Sequence, residues 1–332
     1  MGARIRFVLG RLLLAIPTLV AISAITFFLG ALAPGDPTEI MLGQHADPAS
    51  RLRLRHELGL DRPPLVQYGS YLWRAVHGDF GRSYETRRPV TDIVREGFPN
   101  TATLALAAII LASLFGVTLG VLAAARQDTM VDRAAMLVAI SGASIPAFVL
   151  APVLIVLFAL RLRWLPVSGW TGPENLILPA VVLAARPAAL IARLTRAQMV
   201  EVLRQDYIRT AVAKGLSWSA VVRKHALRNA MLPVLTVIGS SLGYLLSGSF
   251  VVETIFSVPG LGWYSIQSIT RRDYPVIQAT TLLMAVGFVS VNILVDLLYG
   301  WLDPRLKPAG GSVRRGGAAE VESGELTEEV NR

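Results

Sequence analysis

Six apolar segments, each long enough for a bilayer-spanning helix, constrain the fold of this 332-residue chain more than any other feature. A helix crosses the roughly 30 Å hydrocarbon layer in about 20 apolar residues. Leu, Ala, Val and Ile run through these segments without the alternation that a membrane β-barrel requires. The sequence therefore predicts an all-α polytopic membrane protein with six transmembrane helices. The predicted spans cover residues 7–33, 101–125, 134–160, 176–194, 231–252 and 276–301.

The first apolar segment follows a basic start and could be mistaken for a secretion signal. Its apolar run is longer than the roughly 7–15 residues of a signal core, and Pro34 follows the small residues at which a peptidase would cut. We therefore expect residues 1–33 to form an uncleaved first transmembrane helix. Charged residues make up 17% of the chain, against about 25% in a typical soluble domain, which agrees with lipid as the solvent.

The distribution of positive charge predicts the orientation, because short loops rich in Lys and Arg stay in the cytoplasm. The segment 193–228 holds eight basic residues and two acids. Region 34–99 holds nine arginines and nine acids, but loops longer than about 60 residues cross the membrane largely regardless of charge. The N- and C-termini and the segment 193–228 are thus predicted to be cytoplasmic. This topology explains the formal charge of +9, and no nucleic-acid partner is needed.

The regions outside the spans differ in character. Residues 34–100 are predicted to be an extracytoplasmic region whose Tyr and Trp residues favour the membrane interface. A five-helix membrane core follows over 101–307, with a cytoplasmic loop at about 195–230. The Gly- and Glu-rich tail, 308–332, is predicted to be disordered. Short helices in the extracytoplasmic region are predicted over 48–58, over 65–76 and from Pro89.

Several kinds of enzyme chemistry find no support in the sequence. The chain has no cysteine, and its four histidines are scattered without metal-ligand spacing. Its three lysines precede Gly, His and Pro, so it has no phosphate-binding loop and no ATPase site of its own. The Gly-x-Ser-x-Gly pattern at 239–243 lies in an apolar span, and no histidine follows it. Like the glycines at 116 and 120, it indicates close helix packing.

Three charges at or near bilayer depth are candidate functional residues. Arg186 lies in the middle of the fourth span, Asp296 lies in the sixth, and Glu253 lies at the outer end of the fifth. Each could be a paired structural ion or could line a polar path, and both alternatives remain open. Prolines in the third and fourth spans are expected to kink helices: Pro146, Pro152 and Pro187.

Two further segments have polar or turn-forming character. The loop 257–275 begins with a turn at Pro259, Gly260 and Gly262, which suggests a re-entrant piece. The segment 206–233 predicts two short helices joined at Gly215, an elbow with an apolar knob ringed by Arg and Lys. A docking surface for another protein explains both features of this elbow. Its predicted apolar residues are Ile208, Ala211, Val212 and Leu216 on the first helix and Trp218, Val221 and Val222 on the second.

This elbow resembles the coupling loop of ABC importer permeases, with a close match to the dipeptide/oligopeptide/nickel permease family. Two departures from the general importer pattern, Arg209 for Glu and Arg228 for Pro, are shared by peptide-type members. Arg186 is not recognised as a family feature. The resemblance rests on LAPGDP (32–37), LGLDRPPLVQY (58–68), GDFGRS (78–83), SIPAF (144–148), QDYIRTAVAKGL (205–216), HALRNAMLPV (225–234), VVETIFSVPGLG (251–262), RDYP (272–275) and DPR (303–305).

The resemblance implies a type I ABC importer permease fold in the inner membrane and a pore-forming role in alternating access. Its implied partners are a second homologous permease, two cytoplasmic ATPases that bind ATP and Mg, and an extracytoplasmic substrate-binding protein. The implied ATPase-coupling residues are Asp206, Tyr207, Thr210, Ala211, Lys214, Gly215, Leu216 and Ser217. Candidates for the translocation path or gate are Arg186, Glu253, Pro259, Gly260, Gly262 and Asp296.

The favoured substrates are di- or oligopeptides, and the same architecture could import nickel chelates, glutathione or oligosaccharides. An intramembrane enzyme that uses Asp296 or Ser241 is a remote alternative, because no histidine follows Ser241 and no second acid forms a pair with Asp296 in the sequence. A receptor or assembly scaffold without transport is a third class.

Overall fold

The computed structural model describes residues 2–32, 36–43 and 47–302. In these ranges the chain forms fourteen α-helices, two π-helical segments and no strand. The predicted disordered tail, 308–332, and the motif at 303–305 lie outside the described residues. The helices are α1 Gly2–Leu32, α2 Pro37–Leu42, α3 Pro48–Glu57, α4 Pro64–Val76, α5 Val90–Ala125, α6 Met130–Ser144, α7 Ala147–Leu154, α8 Glu174–Leu203, α9 Asp206–Ala213, α10 Trp218–Ala220, α11 Leu227–Gly248, α12 Phe250–Ile255, α13 Leu261–Arg271 and α14 Tyr274–Leu302; the π segments are Ile155–Arg161 and Val221–Ala226.

The helices confirm the prediction of a six-span membrane protein. Five are long and apolar enough to cross a bilayer by themselves, and the sixth span is a broken pair, α6 followed by Ala147–Arg161, bent by 104°. The break falls at Pro146, as expected for a residue that forces extended backbone on its predecessor; Ile145 has φ −88° and ψ 119°. Pro187 lies inside α8, and Pro152 lies in α7, which passes into the π segment at Ile155, so the chain stays helical at both positions.

Helix bounds differ from the apolar segments at the membrane surfaces. The helix predicted from Pro89 is not separate: α5 starts at Val90 and continues into the second span. Helix α8 extends to Leu203, nine residues beyond the predicted end of the fourth span. The helix from Trp218 continues into the fifth span. Apolar runs mark only the part of a helix that lipid covers, whereas the helix itself continues while its residues favour it.

Small residues allow close helix contacts, as predicted. Gly116 and Gly120 of α5 face α8 so closely that a Cβ would lie 2.7 Å and 2.6 Å from the carbonyl oxygens of Ala188 and Ala192. Gly239 of α11 similarly faces Val295 of α14. The backbones can approach only because no side chain intervenes. The Gly-x-Ser-x-Gly pattern therefore lies in a helix–helix contact.

Specific hydrogen bonds attach region 34–100, which is predicted to be extracytoplasmic, to the spans. The Tyr68 hydroxyl of α4 lies 2.9 Å from Ser23 Oγ and donates to the Val20 carbonyl of α1 at 3.0 Å. The Asp273 carboxylate, just before α14, accepts hydrogen bonds from Ser83 Oγ and from the Tyr84 N–H. Burial, with a smaller contribution from Asp273, raises the pKa of Tyr84 to about 12. This region is thus fixed to the first and sixth spans.

Candidate coupling surface and translocation path

The predicted elbow is present and has a defined cap. Helix α9 ends at Ala213, and Gly215 follows with φ +81°. The Gly215 N–H donates to the Val212 carbonyl at 2.9 Å, and the Leu216 N–H donates to the Ala211 carbonyl at 3.4 Å. This pair of bonds is the Schellman motif, in which the positive φ favours glycine. The chain then enters the helix that begins at Trp218 and continues as the fifth span.

One face of the elbow packs against the membrane core. Ile208 and Ala211 are buried, and they share a small apolar cluster with Met199, Val221 and Val222. The cluster joins α9 to the end of α8 and to the start of the fifth span. The elbow is therefore a supported projection whose position depends on two spans.

The opposite face exposes apolar side chains. Helical periodicity in the sequence places Val212 and Leu216 near one face with Ile208, but their side chains are 47% and 41% exposed whereas Ile208 is buried. For Leu216 the periodicity fails because α9 ends at Ala213, before this residue. Together with Tyr207 and Trp218, Val212 and Leu216 form an exposed apolar patch, which we call the elbow patch. Of the other predicted coupling residues, Ala211 is buried. The rest are exposed beside the elbow patch: Asp206, Thr210, Lys214, Gly215 and Ser217.

Arg186 opens onto a cavity of about 510 Å³ between α6, α8 and α11. Its side chain is held by Tyr244 of α11: Nη1 lies 3.4 Å from the hydroxyl oxygen, and the guanidinium lies 5.7 Å from the ring centroid. Arg193, seven residues further along α8, lines the same cavity. The structure thus places Arg186 beside an open, mainly apolar cavity that holds two arginines, consistent with the path-lining alternative.

The structure places Glu253 in the protein interior and not along a polar path. Its side chain is fully buried, and its carboxylate accepts hydrogen bonds from Thr101 Oγ1 at 2.9 Å, from Ser249 Oγ and from the Trp263 N–H at 2.9 Å. These donors satisfy the hydrogen-bonding capacity of the carboxylate inside the protein. In this conformation Glu253 does not line a path; it ties the loop after α12 to α5.

The turn at Pro259, Gly260 and Gly262 is built around that carboxylate. A Cβ on Gly262 would lie 2.8 Å from Glu253 Oε2, and one on Gly260 would also collide with this carboxylate. The Pro259 carbonyl accepts a hydrogen bond from Asn100 Nδ2 at 2.8 Å. The glycines therefore allow close contact with a buried acid, and the segment continues as the amphipathic helix α13.

Asp296 forms an ion pair with Arg11 of α1, with Oδ2 and Nη2 separated by 3.2 Å. This contact favours the structural alternative for Asp296, because it joins the first and sixth spans. Within the part of the chain that the structure describes, no three His, Asp or Glu side chains converge as metal ligands.

Comparisons with known proteins agree with this architecture. The family model described as "Binding-protein-dependent transport system inner membrane component" matches residues 116–308, and the model for its N-terminal part matches residues 4–105. The chain belongs to this family. It is an ABC importer permease, a multi-pass protein of the inner membrane.

Individual relatives support the same assignment. The permease is 44% identical to GsiC, the glutathione transport system permease protein of Escherichia coli strain K12, over 91% of this chain and 99% of the relative. Its counterpart in Shigella boydii serotype 4 shows the same identity and coverage. Among solved structures, the inward-facing MetNI methionine ABC transporter shares the fold, with a TM-score of 0.53 at 18% identity, over 64% of this chain and 96% of that chain.

Two polar contacts in the permease were not predicted from its sequence. Asn229 Nδ2 donates to the Tyr207 hydroxyl at 2.7 Å, which ties α9 to α11. Arg196 of α8 donates from Nε and Nη2 to both carboxylate oxygens of the buried Asp132 of α6, each at 2.6 Å. In the sequence these charges and amides look like ordinary loop residues. Only the tertiary structure brings the partners together.

Proposed function

We propose that the permease and a second homologous permease form the path by which small peptides enter the cell through alternating access. Two ATPase subunits, which bind ATP and Mg, would drive the cycle from the cytoplasm. An extracytoplasmic binding protein would deliver the substrate. The observation that carries this proposal is the elbow patch, an exposed apolar surface on a supported projection. Monomeric soluble surfaces rarely keep such patches unless another protein covers them.

The chemistry of the elbow suits docking in an ATPase groove. Val212, Leu216 and Trp218 would supply apolar contact, and Lys214 and Arg209 would supply surrounding positive charge. The buried side of α9 packs on the ends of the fourth and fifth spans. A displacement of the elbow by closing ATPases would therefore move those two spans.

The peptide substrate is supported by the relatives rather than by the elbow. GsiC is a permease of a glutathione transport system, and glutathione is itself a small peptide. We therefore place di- and oligopeptides first, with glutathione among them. Nickel chelates and oligosaccharides remain the alternatives to be tested.

Docking can be tested by site-directed cross-linking, because the chain has no cysteine of its own. We expect Leu216→Cys, in the assembled complex, to cross-link to an ATPase subunit through a short thiol–amine reagent. Leu52→Cys on α3, which is 68% exposed, is the matched control and should react with a membrane-impermeant reagent added outside. A Leu216→Cys complex that never captures an ATPase, or that reacts from outside, would reject the proposal.

Substrate class is tested by uptake of labelled peptides into vesicles that contain the full complex and its binding protein. We expect di- and tripeptides or glutathione to be imported in an ATP-dependent manner. If a nickel chelate or an oligosaccharide is imported and no peptide is, the peptide assignment is rejected and the ABC importer function is retained.

A further inference from the structure

We infer that the cavity between α6, α8 and α11 is a substrate site that selects peptides by their carboxylates, with Arg186 and Arg193 as the binding residues. The inference rests on the proposed function and adds the charge of the substrate to it. The preferred ligand is a small peptide with a free C-terminal carboxylate and, for full occupancy, a second carboxylate.

The first argument is the uncompensated charge of the cavity. No acidic side chain is among its lining residues. Among the residues that the structure describes, Arg193 has no hydrogen bond or ion pair, and Arg186 contacts only the neutral Tyr244. A cation at the centre of a membrane helix costs roughly 2.5–3.5 kcal/mol on insertion scales. An anionic ligand would offset that cost whenever it occupies the cavity.

The second argument is position. Arg186 lies twelve residues after the first residue of α8, or about 18 Å along the helix, within a hydrocarbon layer about 30 Å thick. Arg193 lies seven residues further, on the same face and about 10 Å nearer the elbow. Both side chains are exposed into the cavity, with Leu190 between them. Two carboxylates of one small peptide, or one carboxylate in successive positions, can therefore meet the two guanidinium groups.

The third argument is the size and lining of the cavity. Its volume of about 510 Å³ falls within the range of roughly 300–1,000 Å³ that small-molecule sites occupy. Ile140, Leu190 and Val237 supply apolar wall for peptide side chains, whereas Ser240 and Tyr244 supply hydroxyl groups. No lining acid is available to bind an amino-terminal ammonium. The cavity therefore discriminates by negative charge.

Equilibrium binding to the complete permease–ATPase complex in nanodiscs, without binding protein, tests the inference. The probes are trialanine, its C-terminal amide, and a tripeptide with one Glu. A hydrogen bond to a charged group contributes about 1.5–3 kcal/mol, which corresponds to a preference of at least about tenfold for trialanine over its amide. The Glu-containing peptide should bind more tightly still. No preference for the free acid, or no saturable binding of it, overturns the inference.

Substitutions assign the preference to residues. Arg186→Gln should lower the affinity for trialanine about tenfold and change the affinity for its amide by less than twofold. Arg193→Gln should remove the advantage of the second carboxylate. Arg161→Gln, an exposed arginine at the other end of the adjacent span and outside the cavity, is the matched control and should bind as the wild type does. Equal loss for the acid and the amide would show that Arg186 is a structural ion and overturn the inference.

If the complex with Arg186→Gln does not assemble, the same binding measurements are made with Arg186→Lys. Lysine lacks the planar guanidinium group that forms two hydrogen bonds with a carboxylate. The affinity for trialanine should therefore fall several-fold, and the affinity for its amide should not change. Equal weakening again overturns the inference. A wild-type complex that imports peptides with its binding protein but shows no acid preference rejects the inference alone, whereas failure to import any peptide rejects the proposed function.

Discussion

Asn229 donates a hydrogen bond from Nδ2 to the Tyr207 hydroxyl at 2.7 Å, and this contact links the elbow directly to the fifth span. Both residues are exposed, so the bond is not part of a packed core. It connects the first turn of α9 with α11, a helix that also lines the cavity beside Arg186. A movement of the elbow can thus be transmitted to the helix that lines the cavity through Tyr207 and Asn229.

The first prediction concerns this link. We expect Tyr207→Phe to lower peptide-stimulated ATP hydrolysis and uptake several-fold, because it removes the hydroxyl that accepts the bond. The loss of stability should be small, about 0.5–1.5 kcal/mol at most. Asn229→Ala should have the same effect, and the double variant should be no worse than either single one. Additive losses in the double-mutant cycle would show that the two residues act separately.

The second prediction concerns Gly215. No atom lies within 4 Å of the position of a Cβ there, so a side chain would not clash, but φ is +81°. A non-glycine residue in left-handed backbone costs roughly 1–2 kcal/mol, and Asn tolerates it best. We expect uptake to fall in the order Gly, Asn, Ala, with normal insertion of all three proteins. Gly69→Ala, also in open space but without a positive φ, should be neutral. Equal activity of the Asn and Ala variants would contradict the backbone explanation.

The third prediction concerns the buried carboxylate of Glu253. In Glu253→Gln one carboxylate oxygen becomes an NH₂ group, so at least one of its donors, the Trp263 N–H or the hydroxyls of Thr101 and Ser249, loses its acceptor. A buried group left unsatisfied costs about 1–3 kcal/mol. We expect a lower midpoint of thermal unfolding in detergent, whereas the exposed Glu57→Gln should leave it unchanged. An unchanged midpoint for Glu253→Gln would refute the anchoring role.

The fourth prediction concerns the ion pair between the third and fourth spans. Asp132→Asn removes the charge that Arg196 contacts with two hydrogen bonds. Hydrogen bonds to charged groups contribute about 1.5–3 kcal/mol, so the purified protein should unfold at a lower temperature. Asp128→Asn, in the loop just before α6, is the control, because Asn tolerates its φ of +63°. Similar losses in the two variants would indicate a general effect of charge on this loop.

The site could be predicted only in part. The elbow and its glycine followed from composition and periodicity, because Gly215 is the one break in an otherwise helical pattern. The partners of Glu253 could not be found, since Thr101 and Trp263 lie 152 and 10 positions away in the chain. The same holds for Asp296, whose partner Arg11 belongs to the first span. Sequence spacing carries no information about which spans meet.

The sequence by itself determined that six apolar helices cross a membrane, because each segment must satisfy its own backbone hydrogen bonds in lipid. It also indicated that prolines could break the third span, because proline acts locally on its neighbour, but only the structure places the break at Pro146 and not at Pro152. Only the tertiary structure decided that Glu253 is an internal anchor and that Arg186 opens onto a cavity. The free energy of a charge in the membrane depends on what surrounds it, and those surroundings are contributed by distant parts of the chain.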